Sequence, residues 1–392
     1  MPVPSMLPTT SAAVCYGPTD LRIETRPLWP PAPGEATIKL GPTGLCGSDL
    51  HYYTHGRNGD FALQAPLCLG HEAAGIVTAL GPGVSHLRVG QRVAIECGIM
   101  CNKCGYCEKG RYNLCKGMRF CSSAKTFPHL DGTLQERMNH PAHLLHPIPD
   151  NVPLELAALA EPLSVLIHAA RRVGLSSSSK DTTNKTVLVF GVGAIGLLAC
   201  ALARAHGASR IVALDINPQR LHFAQSNGLA DATYCLPLSS NKGGKGGAPQ
   251  TQEEKLLSAK ENIMAALQTF DAPDGFDIVF ECTGAETCIQ MSVHACTPGG
   301  RVMLIGMGSP TVTLPLSAAA TREVDLLGSF RYANTYPEAL SLLSSGTLKG
   351  IEKLITHRFD LSEAKEAFEL MRRGRDEQGG LVIKVLVGGV GV

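Results

Sequence analysis

The chain has 392 residues, 44% hydrophobic and 18% charged, which is ordinary globular composition and too long for one simple core, so two domains are expected. Thirty-five lysines and arginines face 34 acids, a net charge of +1 with the signs interleaved, which argues against a nucleic-acid or anionic-membrane surface as the main partner. The 14 cysteines read as reduced thiols of a cytoplasmic protein: disulfide scaffolds are usually small, residues 1–14 lack a signal-peptide pattern, no apolar run reaches the ~20 residues of a bilayer span, and the C-terminus carries no peroxisomal address.

Residues 1–165 read as short strands broken by Gly and Pro, among them 36–40, 74–78 and 91–96, the texture of an irregular β-rich domain. From Pro153 to Arg172 the apolar residues fall three and four apart, as a helix demands. From Lys185 strands and helices alternate: strands at 186–190, 210–215, 277–280, 301–305 and 325–330, with helices at 195–206 and 218–227. Continuous apolar strands alternating with helices predict a parallel, doubly wound α/β sheet. Two further helical stretches, 337–344 and 362–373, precede a final strand at 380–385 expected to rejoin the first domain. The polar runs 176–184 and 239–249 read as solvated insertions, and 253–270 has helical spacing.

Cys101, Cys104 and Cys107 recur at every third position, and Cys115 follows eight residues later. Four soft thiolates on one short lobe, about 97–115, are the ligand set of a closed tetrahedral zinc site. Cys97 is an extra thiol beside it and an alternative ligand. Upstream, Cys46 sits in a Gly-flanked loop and His71-Glu72 at a strand entry, while Glu161 opens a helix. Thiolate plus imidazole suits zinc, and three protein ligands would leave the open position that a catalytic metal needs. Downstream, Gly191-Val-Gly193-Ala194-Ile195-Gly196 follows a predicted strand and opens a predicted helix, and Asp215 ends the next strand. That context makes it a dinucleotide fingerprint. The helix N-terminus faces a pyrophosphate, and Asp215 accepts the ribose hydroxyls of NAD while repelling the extra phosphate of NADP. Arg220 lies near enough in sequence to complicate that charge argument.

The chain resembles the zinc-dependent medium-chain dehydrogenases, and within them the polyol branch of sorbitol and xylitol dehydrogenases. The resemblance is carried by Cys46-Gly-Ser-Asp-Leu-His-Tyr52, Gly70-His-Glu72, Glu161-Pro-Leu-Ser-Val-Leu-Ile-His168, Glu281-Cys-Thr-Gly-Ala285 and Phe330-Arg-Tyr-Ala-Asn-Thr-Tyr-Pro337. Gly-His-Glu marks the superfamily, whereas Phe-Arg-Tyr-x-Asn-Thr is far more specific to polyol enzymes. It covers nearly the whole chain, apart from the two polar insertions and the extreme N-terminus. It implies a GroES-like catalytic domain over 1–165, a Rossmann NAD-binding domain over 166–330, and a return to the catalytic domain over 331–392. Cys46, His71 and Glu72 would hold a catalytic zinc, with Glu161 a ligand directly or through water. Cys101, Cys104, Cys107 and Cys115 match the structural zinc lobe that some family members keep. Ser48 and His51 would relay the alcohol proton, and Tyr52, Phe61, Phe330, Arg331 and Tyr332 would line the polyol cleft. Gly191, Gly193, Ala194, Ile195, Gly196, Asp215 and Arg220 would bind NAD. A homotetramer or homodimer is implied. The net reaction would take a polyol such as sorbitol or xylitol to its ketose. Alternatives are another secondary alcohol (L-arabinitol, a butanediol, threonine or a specialised metabolite), or a non-catalytic dinucleotide sensor on the same fold.

Overall fold

A computed structural model describes residues 7–176, 184–237 and 251–389. The polar run 239–249 lies outside these, as does 176–184 apart from its two end residues. One unit comprises Met1–Ser164, Ala333–Gly346 and Ile355–Val392; the other comprises Val165–Tyr332 and Thr347–Leu354. The return of the chain to the first unit is therefore interrupted, because Thr347–Leu354 belongs to the second.

In the first unit the strand Glu35–Gly44 is central. It pairs antiparallel with Glu72–Leu80 on one side and, along its length, with Arg137–Pro141 and Lys384–Val387 on the other. The sheet continues through Arg92–Ile95 and Leu145–Pro147 at one end and Ile355–Phe359 at the other, seven strands in all. The last strand is Lys384–Val387, shorter than the apolar run 380–385 suggested and set further along the chain. All four of its residues are buried, and it lies between Glu35–Gly44 and Ile355–Phe359. A second layer forms from the hairpin Thr9–Gly17/Asp20–Pro27 and the helices Gly47–His55 and Ala364–Arg373. Tyr53 stacks on Phe368 between those helices, ring centroids 4.9 Å apart, at the heart of this core.

The helix Gly47–His55 differs from the loop expected around Cys46. Cys46 is its N-cap and Asp49 its third helical residue, whose carboxylate accepts a hydrogen bond from the Cys46 amide at 3.1 Å. That reciprocal capping arrangement starts a helix where glycines alone suggested a turn. The helical stretch 153–172 divides into Leu154–Ala157 and Ala160–Arg172.

In the second unit six parallel strands run in the order Ala232–Cys235, Arg210–Asp215, Thr186–Phe190, Phe276–Glu281, Cys296–Leu304, Asp325–Gly328. Numbered along the chain this is 3-2-1-4-5-6, the order of a dinucleotide-binding sheet. Helices cover its faces, and Leu188, Phe190, Val212, Leu214, Val279 and Val302 are buried in the strands between them, as a two-faced sheet requires. The helix Ala194–Ala205 crosses the end of Thr186–Phe190 so closely that a methyl group on Gly196 would collide with the Gly191 carbonyl. Only glycine permits that crossing. Gly193, by contrast, has open space around its α-carbon.

The two glycines should therefore separate by experiment. Gly196→Ala should lower unfolding free energy by about 1–3 kcal/mol through forced overpacking, whereas Gly193→Ala should stay within about 1 kcal/mol of wild type. Urea melts of both variants provide the comparison.

Candidate active site

Cys46, His71 and Glu72 present a thiol, an imidazole nitrogen and a carboxylate oxygen that all lie within 4.8 Å of one another. The helix N-cap supplies the first and the entry to the strand Glu72–Leu80 supplies the other two. His71 and Glu72 are buried and Cys46 is half-buried, so the site opens on the thiol side. A soft thiolate, an imidazole and a carboxylate together suit zinc, and three donors leave a tetrahedral ion one exchangeable position.

Asp49, fully buried, organises this group although sequence reasoning gave it no role. Its Oδ1 lies 3.3 Å from His71 Nδ1, a charge contact rather than an aligned hydrogen bond. The same oxygen accepts from Ser122 Oγ at 2.5 Å and Gly70 N at 3.1 Å, and Oδ2 accepts from Cys46 N. Burial works against its charge, yet His71 and these hydrogen bonds hold the carboxyl below its ordinary range. For His71, burial opposes the charged ring, but Asp49 and Cys46 outweigh it and raise the pKa well above the usual value. The Asp49 carboxylate and the Cys46 thiol beside this imidazole make the pocket electrostatically suited to a divalent cation.

Glu72 also meets Lys384, whose ammonium lies 2.8 and 2.6 Å from its two oxygens and is itself buried. Burial opposes charge on Lys384, but Glu72, Cys46 and Glu161 raise its pKa. Glu161 is buried and close enough to act on both Lys384 and Cys97, though it is not among the three clustered donors. Lys384 had a sequence signal that went unread: it is the one charge in the apolar run Leu381–Val387.

Cys101, Cys104, Cys107 and Cys115 form the second donor group. Cys101 Sγ lies 4.0 Å and Cys104 Sγ 3.6 Å from Cys107 Sγ, and Cys115 Sγ accepts from Cys101 N at 3.4 Å. A zinc tetrahedron with 2.3 Å bonds to sulfur has edges of about 3.8 Å, between the two observed separations. The backbone amide of Cys107 pulls the Cys104 thiol down to about 6, while burial and the neighbouring thiols push Cys107 up to about 12. Full deprotonation of the group calls for a cation, and zinc fits. Cys97 stands apart, fully buried, with its thiol donating to the His71 carbonyl at 3.0 Å.

On the helix Gly47–His55, Ser48 and His51 are three residues apart and so share a face. His51 is exposed, and its pKa is lowered by partial burial and by His55, with ring centroids 6.0 Å apart. The next residue, Tyr52, is core-packed at 1% exposure, and its hydroxyl accepts from Ala124 N at 2.9 Å. Phe61 is half-buried against the same core.

In the second unit a cavity of about 690 Å³ is lined by Gly191, Gly193, Asp215 and Arg220, with Lys255 and Asn262 of the helix Gln252–Thr269. The contribution of that helix went unforeseen because the long polar run before it obscured where it packs. Asp215 is 7% exposed; Oδ2 accepts from Val192 N and Oδ1 from Asn217 N, both at 2.8 Å, which fixes the carboxylate at the strand end. Ala194 and Ile195 occupy the first turn of the following helix and are half-buried. Strand end, glycine turn and helix N-terminus are the features that receive a dinucleotide pyrophosphate. Further along, the Arg331 guanidinium lies 4.9 Å from the Phe330 ring centroid, and Arg331 has a left-handed backbone, φ 51°. Tyr332 is buried.

Two family models match the chain. Residues 32–150 match the alcohol dehydrogenase GroES-like domain, and residues 194–345 match the zinc-binding dehydrogenase domain. The chain is 41% identical to sorbitol dehydrogenase of Bos taurus over 94% of each chain, and 40% identical to that of Homo sapiens over 94% of each. Among solved structures, L-idonate 5-dehydrogenase from Escherichia coli superposes with a TM-score of 0.79 at 28% identity, covering 97% of this chain and 98% of that one. The 2R,3R-butanediol dehydrogenase from Bacillus subtilis gives 0.77 at 26%, covering 97% and 99%.

Asp49→Asn keeps the shape of the side chain but removes the charge facing His71. Metal affinity at the Cys46 group should fall roughly 10–100-fold, the usual cost of losing a partner behind a ligating histidine. Affinity at the cysteine lobe should not change. Competition with a metal chelator, following the two sites separately, measures both.

Proposed function

Because the chain belongs to the zinc-binding, GroES-like alcohol dehydrogenase family and shares about two-fifths of its residues with sorbitol dehydrogenases, we propose that it oxidises a polyol, sorbitol or xylitol first among them, to the ketose with NAD. The observation that carries this reading is the Cys46/His71/Glu72 donor group, present in the same chain as a dinucleotide sheet with an acidic strand end. When bound, zinc supplies a Lewis acid that acidifies the reacting hydroxyl, and NAD supplies the hydride acceptor.

The protein's own residues do the rest. Cys46, His71 and Glu72 would hold the ion, with Glu161 a ligand directly or through water. Ser48 takes the hydroxyl proton and passes it along the helix face to His51, which delivers it to solvent. The lowered pKa of His51 keeps its ring neutral near pH 7 and able to accept. Arg331 pairs with polyol hydroxyls, with Phe330 and Tyr332 beside it in the sequence. Such a site favours substrates that satisfy its buried polar groups over those that leave them unpaired. Gly193, Ala194 and Ile195 receive the pyrophosphate, Asp215 the ribose, and Arg220 the adenosine end. Cys101, Cys104, Cys107 and Cys115 hold a structural zinc.

Assembly into a homotetramer or homodimer belongs to the same reading, since the strand Asp325–Gly328 ends the six-stranded sheet with one edge unpaired within the described chain. No helix among the described residues is long and apolar enough to cross a membrane. A cytoplasmic location accords with a chain whose cysteines are all free.

Initial rates with NAD and NADP across a panel of polyols, simple secondary alcohols and threonine test the assignment. Polyols with NAD should give the highest kcat/KM, and selective removal of metal from the Cys46 group should abolish turnover. A metal-depleted site that still oxidises at full rate would end this reading. The relay has its own test. Oxidation should hold its rate on the acid side to an apparent pKa below the ordinary histidine value, since partial burial and His55 disfavour the charged ring of His51. His51→Ala should lower kcat at least about tenfold, and added imidazole should restore part of it.

A further inference from the structure

The C-terminal strand places a lysine beneath the metal group. Lys384 opens the strand Lys384–Val387, which is in register with the strand that ends at Gly44, and Gly44 is in turn opposite Glu72. At 3% exposure the ammonium is out of water. Its partners are Glu72 Oε1 at 2.8 Å, Glu72 Oε2 at 2.6 Å and the Leu45 carbonyl at 3.1 Å. An ammonium has three protons, so this one is fully committed. Gly44 shapes the carboxylate side of the pair, because a methyl group there would collide with Glu72 Oε2. The backbone is thus cut away to let Glu72 bend toward Lys384.

A carboxylate has about four lone-pair sites, so Glu72 can face a metal while it still holds the lysine. It carries only one negative charge, however. A metal in this group and the ammonium at 2.6 Å both draw on it and repel one another in a poorly screened interior. Without a metal, Lys384 is the only cation among the described residues that pairs directly with this buried carboxylate. Removing one partner of such a pair leaves an uncompensated charge, which is strongly destabilising.

We propose that Lys384 is a positioning residue for the metal: its ammonium and the metal are alternative counter-charges for the Glu72 carboxylate, so that Lys384 weakens the hold on the metal and keeps the metal-free protein folded. The inference rests on the reading that Cys46, His71 and Glu72 bind zinc. It assigns the last strand of the chain a part in setting how readily that zinc is gained and lost.

The experiment uses the full-length protein as wild type, Lys384→Met, Lys384→Gln and Lys384→Arg, all purified with zinc bound. Release of zinc into a chromogenic chelator is followed as two phases, one for each metal group, and the thermal midpoint is measured with and without zinc. In the Met and Gln variants, release from the Cys46 group should slow on the order of tenfold, since a nearby repelling charge is gone. The rise in midpoint that zinc produces should be larger than in wild type. Lys384→Arg should behave as wild type on both counts, and release from the cysteine lobe should be the same in all four proteins. Lys384→Gln keeps donors for Leu45 and Glu72 without the charge, so it yields the comparison even where the Met variant does not fold. Neutral variants that release zinc as fast as wild type, with an unchanged midpoint rise, overturn the inference alone. A wild-type protein that binds metal only at the lobe overturns the zinc reading of the site and the inference with it.

Discussion

The first unit is organised around a concentration of acidic groups withdrawn from water. Asp49 and Glu72 are both buried beside Cys46 and His71. An isolated carboxylate in such surroundings costs several kcal/mol even after relaxation, and it persists only where opposite charge or multiple hydrogen bonds meet it. Each acid here has its own answer. Asp49 draws on His71, Ser122 and two backbone amides, and Glu72 draws on Lys384. The amides come from Cys46 at the start of a helix and Gly70 at the approach to a strand, so one carboxylate ties together the two places from which the metal donors project.

The same constraint accounts for the path of the chain. Lys384 is 312 residues from Glu72 in sequence, yet the two form the tightest buried ion pair in the first unit among the described residues. The strand that carries Lys384 sits inside the seven-stranded sheet rather than at its edge. Its four residues are buried, so the lysine arrives as part of the core and its position is as fixed as that of Leu386 beside it. The first unit is therefore incomplete electrostatically until the C-terminus has been added. In the second unit the corresponding fixed point is Asp215, held by two amides at the strand end, and there all the partners come from within 23 residues.

That difference in sequence distance also explains what was legible in the sequence. The four lobe cysteines lie within fifteen residues, and the glycine turn with its following acid lies within twenty-five, so local spacing alone exposes them. The alternation of apolar strands and helices after Lys185 gives the parallel sheet directly, because strands buried on both faces leave a continuous apolar signature. The helix after Cys46 was hidden because Gly47 and Ser48 look like a turn, and the decisive interaction is the Asp49 side chain reaching back to the Cys46 amide. Asp49 as the support of His71, and Lys384 as the partner of Glu72, depend on tertiary approach, and no local pattern encodes it. Tyr52 shows the reverse limit. Its place in a motif suggests a cleft residue, whereas its ring packs in the core and its hydroxyl holds the Ala124 amide.

The two donor groups make a chemical contrast that bears on how one chain handles two ions differently. In the cysteine lobe four like donors lie within 4.8 Å of one another, and two of the three lowest-numbered thiols are already biased toward the charged form by backbone amides. A closed set of four thiolates satisfies zinc completely and leaves nothing for a substrate oxygen to displace. The Cys46 group is built to the opposite specification. It offers three donors of different hardness, one of which is shared with a lysine, so its net negative charge is lower and three donors would leave a bound ion an open position. Weak saturation is a requirement of chemistry at a metal, because a substrate oxygen must be able to enter. A buried lysine beside a ligand carboxylate looks like a defect when the metal is considered alone. It follows naturally once the site must also remain folded without the ion and leave room on it for substrate.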